Sequence, residues 1–168
     1  MLILHTQRLV LRTIEPDDAP FYLKLVNTRE FIANIGDRGI RTVAAAREAI
    51  ASGPLAMQAA LGHSIYLVAL KAGGEPIGMC GLIKREALDG VDLGYAFLPE
   101  YFKQGYAREA GLGAVEHARQ LGLVRLLAIV APDNAASIVL LDKLGMQWQS
   151  MVYLNPQNPG TWLYSMAI

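Results

Sequence analysis

Gly105 stands between two cations, Lys103 and Arg108, where an apolar stretch from Val91 to Leu98 gives way to a helical run reaching about Leu121. A strand that feeds a helix through a glycine-bearing turn leaves the first N–H groups of that helix unpaired and pointing at the turn. With the positive end of the helix dipole, those donors attract anions, phosphates above all. Glycine removes the Cβ that would hold a phosphate off the backbone, and Ala107 is nearly as small. The run Lys103-Gln104-Gly105-Tyr106-Ala107-Arg108 therefore reads as a pyrophosphate-binding turn, with its two flanking cations available to neutralise further charge.

Two other places carry side chains suited to chemistry. Asn134 opens a helical run and is placed to cap it. Ser137 lies three residues on, near the same face, where a helical serine ordinarily bonds back to a carbonyl of the preceding turn. Asp92 sits in the strand that leads to the phosphate turn, and alternation leaves it either facing solvent or turned toward a site. Glu86 and Asp89 are the next carboxylates upstream. His5, His63 and His117 have no metal-ligand spacing, so no metal is expected, and His117 reads as an exposed helix residue. Cys80, between Met79 and Gly81, reads as a small core residue. Trp148, Tyr153 and Trp162 read as core or as the wall of an acceptor pocket.

The phrase from Leu93-Gly94-Tyr95 through Leu98-Pro99-Glu100-Tyr101 to Ala110 resembles the acetyl-CoA signature of the GNAT acyltransferase superfamily. Its core pattern, Gln/Arg-x-x-Gly-x-Gly/Ala, falls on Phe102-Lys103-Gln104-Gly105-Tyr106-Ala107. An aromatic at the first position is similar to the branch containing the ribosomal-protein N-terminal acetyltransferases. Asn134 to Met146 is similar to the family pattern Asn-x-x-Ser/Ala followed by Leu-Tyr/Leu-x-Lys-Leu-Gly-Phe, with Leu141 where a tyrosine is common.

This resemblance implies acetyl-CoA as co-substrate, with its pyrophosphate on residues 103 to 108. It implies a splay between the fourth and fifth strands, where backbone groups of Ala96, Phe97 and Leu98 pair with the pantetheine arm. It gives Asn134 a bond to that arm and makes Ser137 the candidate proton donor, or the hydrogen-bond partner, of the departing thiolate. Asp92 falls where many members have glutamate and would act as base through water, since amine acylation needs a neutral amine and a route for its proton. Tyr95 would line the site. The implied activity is N-acetyl transfer by direct attack of a primary amine, by branch a peptide N-terminal amine. Polyamines, antibiotics and amino acids are the acceptors of related members. A non-catalytic acyl-CoA binding or sensing module is the reading from another class. Leu141 and the short Asp92 side chain favour it, and retention of both Asp92 and Ser137 opposes it. A generic nucleotide binder lacks support, because the Walker A lysine pattern and a full dinucleotide glycine fingerprint are missing.

The elements that must hold these residues are legible from periodicity and turn chemistry. Arg8 to Ile14 alternates as a strand, and Pro16 with Asp17 and Asp18 opens a helix ending near Asn27. A short helix over Thr28 to Ala33 follows, then a loop at Gly36-Asp37-Arg38-Gly39. Thr42 caps a third helix, Val43 to Ser52, which Gly53-Pro54 is expected to stop; residues 54 to 62 carry no clear pattern. Strands are expected at Ser64–Leu70, Pro76–Lys84, Val91–Leu98, Val124–Val130, Met146–Leu154 and Thr161–Ile168, with a helix from Asn134 or Ala135 to the stop at Gly145. The result is a mixed α/β fold, one domain over residues 1–168. It has a mostly antiparallel sheet of about seven strands with flanking helices. Acceptor choice would rest on residues 28 to 62 and 153 to 162, where Arg38 or Arg41 could meet a carboxylate.

Composition narrows the partners. The 168 residues suffice for one core without covalent staples. Lys plus Arg equals Asp plus Glu at 15 each, so no global field draws nucleic acid or an anionic bilayer, and a polyanionic ligand needs local provision. Apolar residues make up 53%, yet no run reaches the roughly 18 to 20 residues of a membrane span. The first residues lack signal-peptide features and the single Cys80 excludes an internal disulfide, which together point to the cytoplasm. Both monomer and homodimer fit this reading.

Overall fold

The computed structural model describes residues 1–168. Its elements in chain order are β1 (Leu2–His5), β2 (Leu9–Thr13), α1 (Ala19–Val26), α2 (Arg29–Asn34), α3 (Val43–Ile50) and α4 (Ala56–Leu61). There follow β3 (Ile65–Leu70), β4 (Pro76–Lys84), β5 (Val91–Phe97), α5 (Tyr106–Gln120), β6 (Arg125–Val130), α6 (Ala135–Lys143), β7 (Gln147–Val152) and β8 (Thr161–Ala167). The strands form one sheet in the order β1-β2-β3-β4-β5-β6-β8-β7. Every pairing is antiparallel except that of β5 with β6.

Helices cover both faces of the sheet, so its central strands read as nearly continuous apolar runs. Along β3, Tyr66 and Val68 turn to the face packed by α5 and α6, together with Leu9, Leu11, Ala110, Ala114 and Leu141. Leu67 and Ala69 turn to the other face, against Leu25, Phe31, Ala46 and Ile50 of α1, α2 and α3. Leu9, Leu11, Leu25, Ile50 and Leu67 are wholly buried. Each such side chain contributes about 1.5–3 kcal/mol of burial.

One expectation is refined and one needs correction. The sheet has eight strands, because Leu2–His5 pairs with β2 as an edge strand too short to show a pattern of its own. Nor does Gly53-Pro54 end the helical path. The chain passes from α3 through a π-helical turn at Ala51–Leu55 into α4, which Gly62 closes at φ 75°. The wider turn accommodates Pro54, which lacks an N–H and would clash with a carbonyl in a regular α-helix.

The elements that carry the site have well-defined ends. A capping box between Glu15 and Asp18 opens the 3₁₀ turn before α1. Helix α6 closes as expected at Gly145, at φ 89°. There Met146 N donates to Leu141 O at 3.0 Å and Gly145 N to Asp142 O at 3.0 Å, the paired bonds of a Schellman end.

Candidate active site

The turn over residues 103–108 forms as its residues require. Gly105 adopts φ 82° at the N-terminus of α5 and no side chain caps that helix, so its first N–H groups face the turn. Lys103 also takes a left-handed conformation, φ 59°, which is uncommon for a residue with a Cβ. Lys103, Gln104 and Arg108 are exposed, while Tyr106 and Ala107 are half-buried.

Arg8 holds this turn from across the sheet. Its guanidinium donates to Gln104 O at 2.9 Å and to Glu109 Oε2 at 2.7 Å, and it lies 4.4 Å above the Tyr106 ring. The Arg8 amide and the Thr6 hydroxyl donate to Glu109 Oε1 at 2.7 and 2.6 Å. Periodicity marks Arg8 as no more than the start of a strand. Nothing in the sequence links it to a turn nearly a hundred residues away.

Strands β5 and β6 pair through Asp92 and Leu127 alone. Past that point no β5 residue pairs with β6, so the C-terminal half of β5, which leads to the turn at residues 103–108, has no ladder partner on that side. Of the three residues expected to offer backbone groups there, Leu98 does not. Its N–H donates to Ile77 O at 2.9 Å and its carbonyl accepts from Tyr101 N at 3.0 Å. An antiparallel ladder alternates which residues bond to a given neighbour. Ala96 therefore turns its backbone groups to β4 with Leu98, whereas Phe97 and Tyr95 direct theirs to the side left unpaired by β6.

The same alternation separates the side chains. Tyr95 packs on the α5–α6 face and Ala96 on the α1–α4 face, the one Asp92 shares. On the first face, the Tyr95 hydroxyl meets Ser137 Oγ in a short hydrogen bond and lies 3.5 Å from Ser137 O. Burial pushes the Tyr95 phenol up to about 12. Asn134 caps α6, its Oδ1 accepting from Ser137 N at 3.3 Å. Its Nδ2 has no protein partner. Leu141 is wholly buried in the core.

Asp92 has no solvent face. Its side chain is 1% exposed and accepts from Arg85 Nε at 3.1 and 3.2 Å, the arginine itself being 31% exposed. Burial raises the Asp92 carboxyl more than Arg85 lowers it, so its pKa lies above the ordinary value. Glu86 and Asp89 are exposed, Asp89 beside Arg125.

A family model described as Acetyltransferase (GNAT) domain matches residues 8–147. The chain belongs to the GNAT acetyltransferases. The uncharacterised N-acetyltransferase YoaA of Bacillus subtilis is 28% identical over 171 residues, covering 98% of this chain and 96% of its own. YkkB, an uncharacterised protein of the same organism, is 29% identical over 96 residues, or 54% of this chain, and this chain spans about half (55%) of its length. The solved structure of RimL, a ribosomal L7/L12 α-N-protein acetyltransferase in complex with coenzyme A, has a TM-score of 0.84 at 17% identity. That likeness covers 100% of this chain and 98% of RimL, and at such identity it is one of fold.

Several residues of this GNAT domain lie elsewhere than their types suggest. His117 is half-buried, not exposed, and its Nε2 lies 3.1 Å from the Tyr66 hydroxyl. Trp148 and Tyr153 are 54% and 66% exposed, so neither is core. Arg41 is committed to Asp37 and Asn27 at 2.6 and 2.7 Å, while Arg38 lies over the Phe31 ring at 5.9 Å. Cys80 is core as expected, its thiol pushed up to about 12 by burial, which removes it as a nucleophile. No helix is long and apolar enough to cross a membrane.

Proposed function

We propose that this protein transfers acetyl from acetyl-CoA to a primary amine, with a protein or peptide N-terminal amine as the acceptor class. The observation that carries the reading is the single Asp92–Leu127 pairing. It leaves the C-terminal half of β5 without a partner on its β6 side, directly upstream of an uncapped helix N-terminus, which supports a ligand-holding gap there. Acetyl-CoA would lie in that gap. The pyrophosphate meets the turn at Lys103, Gln104, Gly105, Tyr106, Ala107 and Arg108, and the pantetheine amides bond to the open groups of Phe97 and Tyr95 and to Asn134 Nδ2.

The neutral amine attacks the thioester carbon from the Asp92 side. The C–N bond forms, the carbonyl electrons move to oxygen, and a β5 N–H stabilises that oxyanion. As the carbonyl re-forms the C–S bond breaks, and the sulfur leaves as a thiolate beside Ser137. The amine proton passes through water to Asp92. Its raised pKa makes it a stronger base than an ordinary carboxylate. Access requires Arg85 to swing away, which its partial exposure permits. The acceptor class rests on the aromatic Phe102 in the signature phrase, and on the acceptor named for RimL.

The test is a thiol-release screen with acetyl-CoA against N-terminal peptides, polyamines and amino acids. Transfer to peptides alone supports the whole reading. Transfer to a small amine alone replaces the acceptor class. Coenzyme A binding with no transfer to any amine leaves a non-catalytic acyl-CoA module, a role that the sealed Asp92–Arg85 pair suits.

A further inference from the structure

We propose that the Tyr95 hydroxyl is a positioning group that fixes Ser137 toward the departing sulfur, supplying from β5 the phenol that position 141 lacks. The inference rests on the acetyl-transfer reading above and deepens it.

A helical serine is ordinarily drawn back to the carbonyl of the preceding turn, which would point its hydrogen along the helix and away from a substrate. Ser137 makes no such bond. Its Oγ meets the Tyr95 hydroxyl instead, while its N–H is held by Asn134. In this arrangement Tyr95 donates and Ser137 Oγ accepts, the direction that the greater acidity of a phenol over an alkanol favours. Ser137 keeps its own hydrogen free for the sulfur, in an orientation set by a ring that packs against the core. The contact crosses from β5 to α6, 42 residues on, and so bridges the two walls of the site. Leu141 is buried and has no hydrogen to donate.

The proton ledger needs no transfer from Tyr95. The C–N bond forms, the C–S bond breaks, the amine proton goes through water to Asp92, and the thiolate is protonated from solvent after leaving. Ser137 lends a hydrogen bond that strengthens as charge builds on sulfur, an interaction larger in the transition state than in the ground state. Burial keeps Tyr95 protonated across the working range, up to about 12, so it acts as a fixed donor and not as an acid.

The experiment is a double-mutant cycle read by single-turnover acetyl transfer, with coenzyme A affinity measured by calorimetry on each variant. Tyr95→Phe is expected to slow transfer by about 10-fold while coenzyme A affinity stays at the wild-type value. Tyr95→Phe combined with Ser137→Ala should be no slower than Ser137→Ala alone, because the phenol works only through the serine. A fluorinated tyrosine at position 95, a stronger donor, should speed transfer in the Ser137 protein and change nothing in Ser137→Ala. That variant keeps the ring and hydroxyl, so it remains decisive if Tyr95→Phe fails to fold. Wild-type transfer by Tyr95→Phe, losses that simply add, or a fluorotyrosine effect that persists without Ser137 overturns this inference and leaves the acetyltransferase reading standing. A wild-type protein that binds coenzyme A and transfers to no amine overturns both.

Discussion

Arg8 and Glu109, 101 residues apart, meet in an ion pair of 2.7 Å, and the Arg8 amide donates to the same carboxylate. Arg8 also holds Gln104 O, so one side chain ties the N-terminal strand pair to the first turn of α5. The Tyr106 ring lies beneath the guanidinium and adds a cation–π contact to that arm. The turn at residues 103–108 is thereby held in shape by protein contacts alone, and pre-shaping of this kind lowers the ordering cost of binding a ligand.

Gly105→Val should abolish measurable coenzyme A binding, or weaken it by at least about 10-fold. Gly105 has φ 82°, disfavoured for a β-branched residue, and a Cβ there would stand 3.2 Å from Arg8 Nη2. Calorimetry on the folded variant checks this. Wild-type affinity would move the phosphate site elsewhere.

Glu109→Gln should cost about 1 kcal/mol, or about 2–4 °C in Tm, because an amide nitrogen replaces one acceptor facing Arg8. Burial opposes the Glu109 charge, but bonds from Thr6 and Arg8 outweigh it and hold the pKa below the ordinary value. A depressed carboxyl stabilises the fold above its unfolded pKa and loses that contribution as pH falls through the folded one. The difference in Tm should therefore be full at neutral pH and vanish in acid below the ordinary glutamate range. Thermal melts across pH decide it, and a pH-independent difference would mean that packing and not charge is responsible.

Asp92→Asn should lower turnover by about 100-fold with little change in acetyl-CoA affinity. The base works deprotonated, and its pKa is raised, so wild-type activity should fall with decreasing pH before an ordinary aspartate would titrate. The deficit of the variant should shrink at high pH, where free amine is plentiful. Steady-state kinetics from acid to alkaline pH tests both limbs. A deficit independent of pH would assign the proton to another acceptor.

Gly145→Ala should destabilise by roughly 1–2 kcal/mol through its left-handed backbone alone, since nothing lies within 4 Å of an added Cβ. Because Gly145 ends the helix that carries Asn134 and Ser137, local opening of α6 should rise with it. Hydrogen exchange at α6 amides is the measurement. Unchanged protection there would separate the helix end from the site.

What the chain order alone determined is everything that depends on neighbours in sequence. The glycine turn before α5, the Asn134 cap, the Gly145 stop, the mixed sheet and the acetyl-CoA signature all follow from residue types a few positions apart. Gly53-Pro54 misleads on the same local grounds, because the helix packed through Ala46 and Ile50 continues past it by way of a π-helical turn that accommodates the proline. Tertiary structure decided what no short window contains. Whether Asp92 faces water or Arg85 depends on how a turn folds back over its own strand. Which β5 residues present backbone groups to the gap depends on which ones β4 has already taken. The Tyr95–Ser137 and Arg8–Glu109 contacts exist because the sheet order brings distant segments together. Such contacts have no sequence period, since they come from packing and not from the repeat of a helix or a strand.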